Sequence, residues 1–126
     1  MKKRAVLITG GAGFVGSHLV EALLAKGNCK VFVLDKLLYP GRLDTIPPNC
    51  RKDSNFRFIR GDAGNKQILA KIIPEVDSVV HMAAETHVDR SILTIDTFVK
   101  NDFVSSAHLF EFLSQSKIKR VIHLST

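Results

Sequence analysis

Cysteine is scarce in this chain of 126 residues: Cys29 and Cys50 are the only two, and no CxxC spacing relates them. Two such thiols argue against a disulfide scaffold and a thiolate metal site, and fit free cysteines in a reducing compartment. Long apolar runs are absent as well. None approaches the ~20 residues that a bilayer-spanning helix needs, so no membrane partner is expected. The opening MKKRAVLITGG is basic and then apolar, as a signal peptide is. Its apolar part is too short, and glycines stand where a small-residue cleavage site belongs, so a cytoplasmic location is the expectation. Metal-ligand spacing is also missing. His81 and His87 lie near Glu85 but fit no common zinc pattern, and no metal is assigned. The net charge is +6, but the basic residues are scattered, at the KKR of the start, at Arg51–Lys52 and at Lys117–Arg120. Without interleaved aromatics they do not suggest nucleic-acid binding. They suit a solvated face, or attraction of a polyanionic substrate such as a nucleotide.

What is present is an ordinary globular balance, 45% apolar and 24% charged, in a chain long enough for one domain, residues 1–126, with a real core. Apolar runs alternate with helical patterns. Arg4–Thr9 reads as a first strand, and Phe14–Lys26 as a helix with Val15, Leu19, Val20, Leu23 and Leu24 at helical spacing. Gly27–Asn28 is a stop signal. Lys30–Asp35, Phe56–Asp62, Asp77–Ala84 and Arg120–Ser125 read as strands two to five. Tyr39–Asn55, with Pro40, Pro47 and Pro48, reads mostly as loop with one short helical turn. Asn65–Ile73 is a short helix stopped by Pro74, and Thr94–Ser116 a long one. Strand–helix–strand alternation predicts an α/β fold, a Rossmann-like doubly wound parallel sheet of order 3-2-1-4-5.

The long helix carries a further expectation. Its apolar residues, Ile95 and Phe98 through Phe112 and Leu113, spread over roughly 220°, wider than the stripe of ~100° that one sheet demands. A second apolar neighbour is expected, from a segment missing after strand five or from a partner subunit. On that reading the chain is truncated after strand five, its Phe-rich helix side is exposed, and it self-associates or is marginally stable. A compact monomer in sedimentation, with no dye-binding apolar surface, contradicts this.

The densest chemistry follows strand one. Gly11-Ala12-Gly13-Phe14-Val15-Gly16 fits GxGxxG, and Gly10, Gly13 and Gly16 also fit GxxGxxG. Glycine permits a tight turn and lets backbone N–H groups approach a pyrophosphate, at which the next helix points its positive end. Asp35 ends strand two, 19 residues after Gly16, where a carboxylate accepts hydrogen bonds from ribose hydroxyls and repels a 2′-phosphate. NAD is therefore favoured over NADP, with Lys36 the one neighbouring cation that tolerates the phosphate. Asp62, in GDAG at the end of strand three, is placed to accept from an adenine amino group. Met82, Ala83, Ala84 and Glu85 end strand four, where small residues leave room for a flat cofactor. All these ends share the sheet edge where such folds bind ligands.

These residues resemble the extended short-chain dehydrogenase/reductase superfamily. Within it TGGAGFVGSHLV, LDKLLYPGRLDTI, RGDAGN, HMAAETHVDRSI and VIHLST resemble the N-terminal part of the dTDP-glucose 4,6-dehydratase family. The glycine motif is shared across the superfamily; DKLLYPG and AAETHVDRSI are far more specific. The resemblance implies an NAD-dependent lyase of nucleotide-sugar metabolism. It implies that Phe14 and Val15 follow the phosphate turn, and that Asp35, Lys36, Leu37 and Leu38 hold the adenosine ribose. Asp62 and Ala63 flank the adenine, and Met82 through Thr86 line the cofactor toward the nicotinamide. Thr86 also faces the sugar nucleotide, and Thr126 matches a catalytic-site threonine that hydrogen-bonds the sugar near its reacting hydroxyl. His87, Asp89 and Arg90 complete the motif without assigned roles. Two departures stand out: Lys100 replaces a threonine beside Asn101, and Val104 and Ser105 replace a Gly-Thr pair.

In the family, a tyrosine takes the proton of the 4-hydroxyl while NAD takes the hydride from carbon 4, and an Asp-Glu pair eliminates water across carbons 5 and 6. NADH then returns the hydride to carbon 6. The Asp-Glu and Tyr-x-x-x-Lys pairs follow the threonine in the family and have no counterpart here; the single tyrosine, Tyr39, belongs to the loop after strand two. The expectation is the cofactor-binding segment of such a dehydratase, inactive by itself and homodimeric at full length. The alternatives are a stand-alone non-catalytic NAD-binding module and a UDP-sugar epimerase or decarboxylase of the same superfamily.

Overall fold

The computed structural model describes residues 3–37, 43–83 and 103–124. Its strands are β1 (Arg4–Thr9), β2 (Cys29–Asp35), β3 (Phe56–Arg60), β4 (Ser78–His81) and β5 (Arg120–His123). They form one sheet in the order β3-β2-β1-β4-β5, and every pairing is parallel. This is the predicted doubly wound order. Adjacent parallel strands require crossovers, which α1 (Phe14–Lys26), α2 (Pro48–Arg51), α3 (Lys66–Ile72) and α4 (Ser105–Ser114) supply within the described residues.

The central strands are apolar on both faces because both faces are covered. On one face Leu7, Phe32 and Leu34 pack with Leu69 of α3 and Leu109 of α4. On the other, Ile8, Val31 and Val33 pack with Val20 and Leu24 of α1. Local signals place the helix ends. The Asn65 side chain caps α3 by accepting from the N–H groups of Gln67 and Ile68, and the Gly27 N–H closes α1 on the Leu24 carbonyl at 3.0 Å.

Segment 39–55, expected to be mostly loop with one short helical turn, has one turn more than that in its described part. Its described part holds two short helical turns, Leu43–Thr45 and Pro48–Arg51. Ile46 and Cys50 between and within them are buried in the α1-side core. Pro48 begins the second turn, where its missing N–H is not needed. Both cysteines are free and buried; burial, with Glu21 and Asp53 nearby, raises the Cys50 thiol above its ordinary pKa.

The long helix is seen over Ser105–Ser114, with Val104 already helical in backbone; positions 94–102 lie outside the described residues. Its apolar breadth resolves in part. Phe110 does not face solvent alone but meets the His81 and His123 rings edge-on, at centroid distances of 5.5 and 5.2 Å. Exposed large apolar residues lie at Phe103 and Val104 before α4, at Val121, Ile122 and Leu124 in and just after β5, and at Phe14 and Val15 at the start of α1.

Candidate functional site

The carboxyl ends of β1, β2, β3 and β4 converge on one edge, and the turn after β1 is built for a close approach. Gly10 has φ +73°, and a Cβ there would stand 2.7 Å from the Ala83 amide nitrogen. A side chain at Gly16 would run into the Gly10 carbonyl oxygen. Only glycine lets the turn, the helix start and the end of β4 close up in this way. The turn is pinned from outside: Thr45 Oγ1 donates to the Ala12 carbonyl at 2.6 Å, and the Ala12 N–H donates to Asp35 Oδ2 at 3.1 Å.

The turn delivers the N-terminus of α1. Gly13 precedes the helix without a side-chain cap, and the first turn holds no acid. The first helical bond runs from the Ser17 N–H to the Gly13 carbonyl. Among the described residues nothing accepts from the Phe14, Val15 and Gly16 N–H groups. Phe14 and Val15 are 79% and 55% exposed, so large apolar side chains flank an open, positively polarised helix end. Such an end takes an anion.

Asp35 is held as a turn carboxylate. Oδ2 accepts from Ala12, and Oδ1 accepts the Leu37 N–H at 2.8 Å. Leu37 is the one non-glycine residue with positive φ, +59°, among the described residues. A leucine in the left-handed region is strained, and the Asp35 bond is what locks it there. Each carboxylate oxygen keeps a further lone pair for a ligand hydroxyl. On the next strand Asp62 accepts the Gly64 N–H at 2.7 Å and pairs with Lys36 Nζ at 2.8 Å. Burial alone would raise its pKa; hydrogen bonds from the Lys36 and Ser105 side chains and the Gly64 N–H, with the lysine charge, together hold it below the ordinary carboxylate value. Ala63 is buried. A shallow hollow of about 300 Å³ opens beside Asp62, Asn65, Val104, Ser105 and His108.

A second polar cluster lies deeper. Thr9 Oγ1 meets His81 Nδ1 at 2.6 Å, and His81 Nε2 meets Ser106 Oγ at 2.7 Å. Thr9 Oγ1 also accepts the N–H groups of Met82 and Ala83 at 3.0 and 3.2 Å. With its lone pairs so engaged, the Thr9 hydroxyl donates its proton to Nδ1, which leaves Nε2–H to donate to Ser106. His81 is therefore neutral, and burial, with His123 beside it, pushes its pKa down to about 4. The end of β4 hangs on this chain.

The structure thus brings together the predicted Gly10, Gly13, Phe14, Val15, Gly16, Asp35, Lys36, Leu37, Asp62, Ala63, Met82 and Ala83. Leu38, Ala84, Glu85, Thr86, His87, Asp89, Arg90, Lys100, Asn101 and Thr126 lie outside the described residues. Sequence reasoning did not single out Thr9, Thr45 and Ser106, and weighed His81 only as a metal ligand. A histidine closing an apolar strand in SVVH was the available signal, since a buried imidazole needs partners. Among the described residues no His, Cys, Asp and Glu group is arranged to hold a metal, and no helix is long and apolar enough to cross a membrane.

The family described as GDP-mannose 4,6 dehydratase matches residues 7–126. The chain belongs to that family. It is 39% identical over 126 residues to the dTDP-glucose 4,6-dehydratase of Streptomyces niveus, covering 96% of this chain and 37% of that protein. The dTDP-D-glucose 4,6-dehydratase of Dictyostelium discoideum is 39% identical over 125 residues, covering 96% of this chain and 28% of that one. Among solved structures, DesIV (dTDP-glucose 4,6-dehydratase) from Streptomyces venezuelae with NAD and TYD bound superposes with a TM-score of 0.88 at 38% identity, covering 94% of this chain and 38% of its own. A UDP-glucuronic acid 4-epimerase from Bacillus cereus, in complex with UDP-glucuronic acid and NAD, gives 0.87 at 32% identity, over 97% of this chain and 40% of that one. The chain spans less than two-fifths of the length of the Streptomyces relatives.

Proposed function

We propose that this chain is the dinucleotide-holding part of an NAD-dependent nucleotide-sugar 4,6-dehydratase acting on dTDP-glucose. The observation that carries the reading is the Ala12–Asp35 bond of 3.1 Å. It ties an open helix N-terminus, suited to a pyrophosphate, to a carboxylate with lone pairs left for ribose hydroxyls. That is the donor and acceptor set a dinucleotide needs. The residues fit NAD, which when bound supplies the hydride acceptor and donor for the sugar.

The chain's own part is binding and orientation. The Phe14 and Val15 N–H groups take the pyrophosphate, Asp35 the adenosine ribose, and Asp62 the adenine amino group. Met82 and Ala83 are assigned the nicotinamide side; the family resemblance gives the same task to Ala84, Glu85 and Thr86, and gives contact with the sugar to Thr86 and Thr126. Thr9 and His81 hold the Met82 and Ala83 backbone still for that task.

Calorimetric titration of the chain with NAD tests the binding half; Asp35→Ala is expected to weaken binding at least about tenfold, the order of a hydrogen bond to a charged group. No measurable NAD binding by the unaltered chain overturns the reading. Turnover by the full natural protein tests the rest. Formation of a 4-keto-6-deoxy sugar from dTDP-glucose supports the dehydratase, whereas inversion of a UDP-sugar at carbon 4 replaces it with the epimerase of the same fold.

A further inference from the structure

Lys36 directly follows the carboxylate assigned to the ribose, where a cation can offset that carboxylate's repulsion of a 2′-phosphate. The structure turns it elsewhere. The Asp35–Leu37 bond of 2.8 Å and the left-handed Leu37 fold the backbone back on itself. The Lys36 ammonium then lies on Asp62 of the neighbouring strand end, at 2.8 Å. Asp62 is itself fixed, by the Gly64 N–H at 2.7 Å and by the Ser105 side chain at the start of α4. Three elements, the ends of β2 and β3 and the beginning of α4, therefore hold one cation on Asp62. The pair is neither buried nor free, at 29% and 31% side-chain exposure, so it is open to a competing anion.

We propose that the Lys36–Asp62 pair, backed by Ser105, is a selectivity lock that withholds the only cation adjacent to Asp35 in sequence from a dinucleotide 2′-phosphate. The proposal rests on the dinucleotide reading above. Asp35 discriminates by repulsion; the lock removes the attraction that would offset it. Asp62 thus acts twice, directly at the adenine and indirectly at the ribose through Lys36. The two roles separate experimentally, because NAD and NADP share the adenine and differ only at the 2′ position.

The test is the ratio of NAD to NADP dissociation constants, measured on the full chain by calorimetry. Asp62→Asn keeps the shape and an acceptor for the Gly64 N–H but loses the charge that binds Lys36. It is expected to shift the ratio toward NADP by about five- to tenfold, somewhat below the range for a hydrogen bond to a charged group because the site is partly exposed. Adding Lys36→Met to Asp62→Asn is expected to cancel that gain. Loss of adenine contacts weakens both ligands alike and leaves the ratio unmoved, and Arg60, in register with Asp35, is common to every variant. If Asp62→Asn does not fold, Asp62→Ser is read in the same way. A ratio within about twofold of the unaltered chain, where the lower bound of the expected effect is fivefold, overturns the lock while the NAD reading stands. A gain that survives Lys36→Met also overturns it. Failure of the unaltered chain to bind either dinucleotide overturns both.

Discussion

Two polar clusters sit at the same sheet edge and are built on opposite terms. Lys36–Asp62–Ser105 is charged, about a third exposed at its ion pair, and joins the ends of β2 and β3 to α4. Thr9–His81–Ser106 is neutral, with His81 1% exposed, and joins the central strands to the same helix. The difference follows from solvent. A partly exposed ion pair is screened and contributes little to stability, so it can be altered with little loss. A buried imidazole has no water to fall back on, and every partner removed leaves a group unsatisfied. The outer cluster is thus free to serve ligand selection, while the inner one holds the scaffold that presents Met82 and Ala83.

The sharpest way to break the comparison is at the centre of the inner cluster. His81→Ala empties space beside Phe110 and strips partners from both Thr9 and Ser106; a loss of about 3–4 kcal/mol is expected in urea unfolding at neutral pH. A loss below about 1 kcal/mol, the worth of one ordinary hydrogen bond, would show that the network is not structural.

Acid probes the same residue without mutation. The folded His81 titrates near 4 against an ordinary 6.5, so below 6.5 the unfolded chain takes up a proton that the folded chain refuses. Stability is expected to be whole above that pH and to fall as pH drops toward 4, by up to about 3 kcal/mol. Asp62 adds to the loss further down: its folded pKa lies below 3.8, so its contribution fades as pH falls past that value. Unfolding curves from pH 7.5 to 4 check the window, and an unchanged midpoint between 6.5 and 5 would contradict it.

Thr9→Val, which keeps the shape and removes the hydroxyl, unpairs His81 Nδ1 and the Ala83 N–H; about 2 kcal/mol is expected. It is also expected to weaken NAD binding, because Met82 and Ala83 lose an anchor, a link that paired denaturation and calorimetry measure together. The smallest effect belongs to the outer cluster. Asp62→Asn is expected to cost under about 1 kcal/mol in stability while moving the dinucleotide ratio. A stability loss as large as that of His81→Ala would erase the distinction between the clusters.

Much of this architecture was legible before any coordinate. The strand order follows from parallel alternation, which leaves few topologies, and the glycine turn with Asp35 was readable because spacing along the chain stands in for position at a strand end. The parts that were not legible are long-range. Ile46 and Cys50 sit among prolines yet fill the α1-side core, because packing overrides local turn signals. Phe110 reads as one more residue on an over-wide apolar face, and its histidine neighbours come from two separate strands.

By itself, the sequence determined the sheet, the turn and the acid that closes β2, since each depends on residues close together or on a repeating pattern. Only the tertiary structure decided where polar side chains end up. Lys36 and Asp62 are 26 positions apart and Thr9 and His81 are 72 apart, and nothing in either local stretch names the partner. Strand pairing brings Thr9 and His81 side by side in register, and the charge on one cluster and the neutrality of the other are set by how much water reaches each.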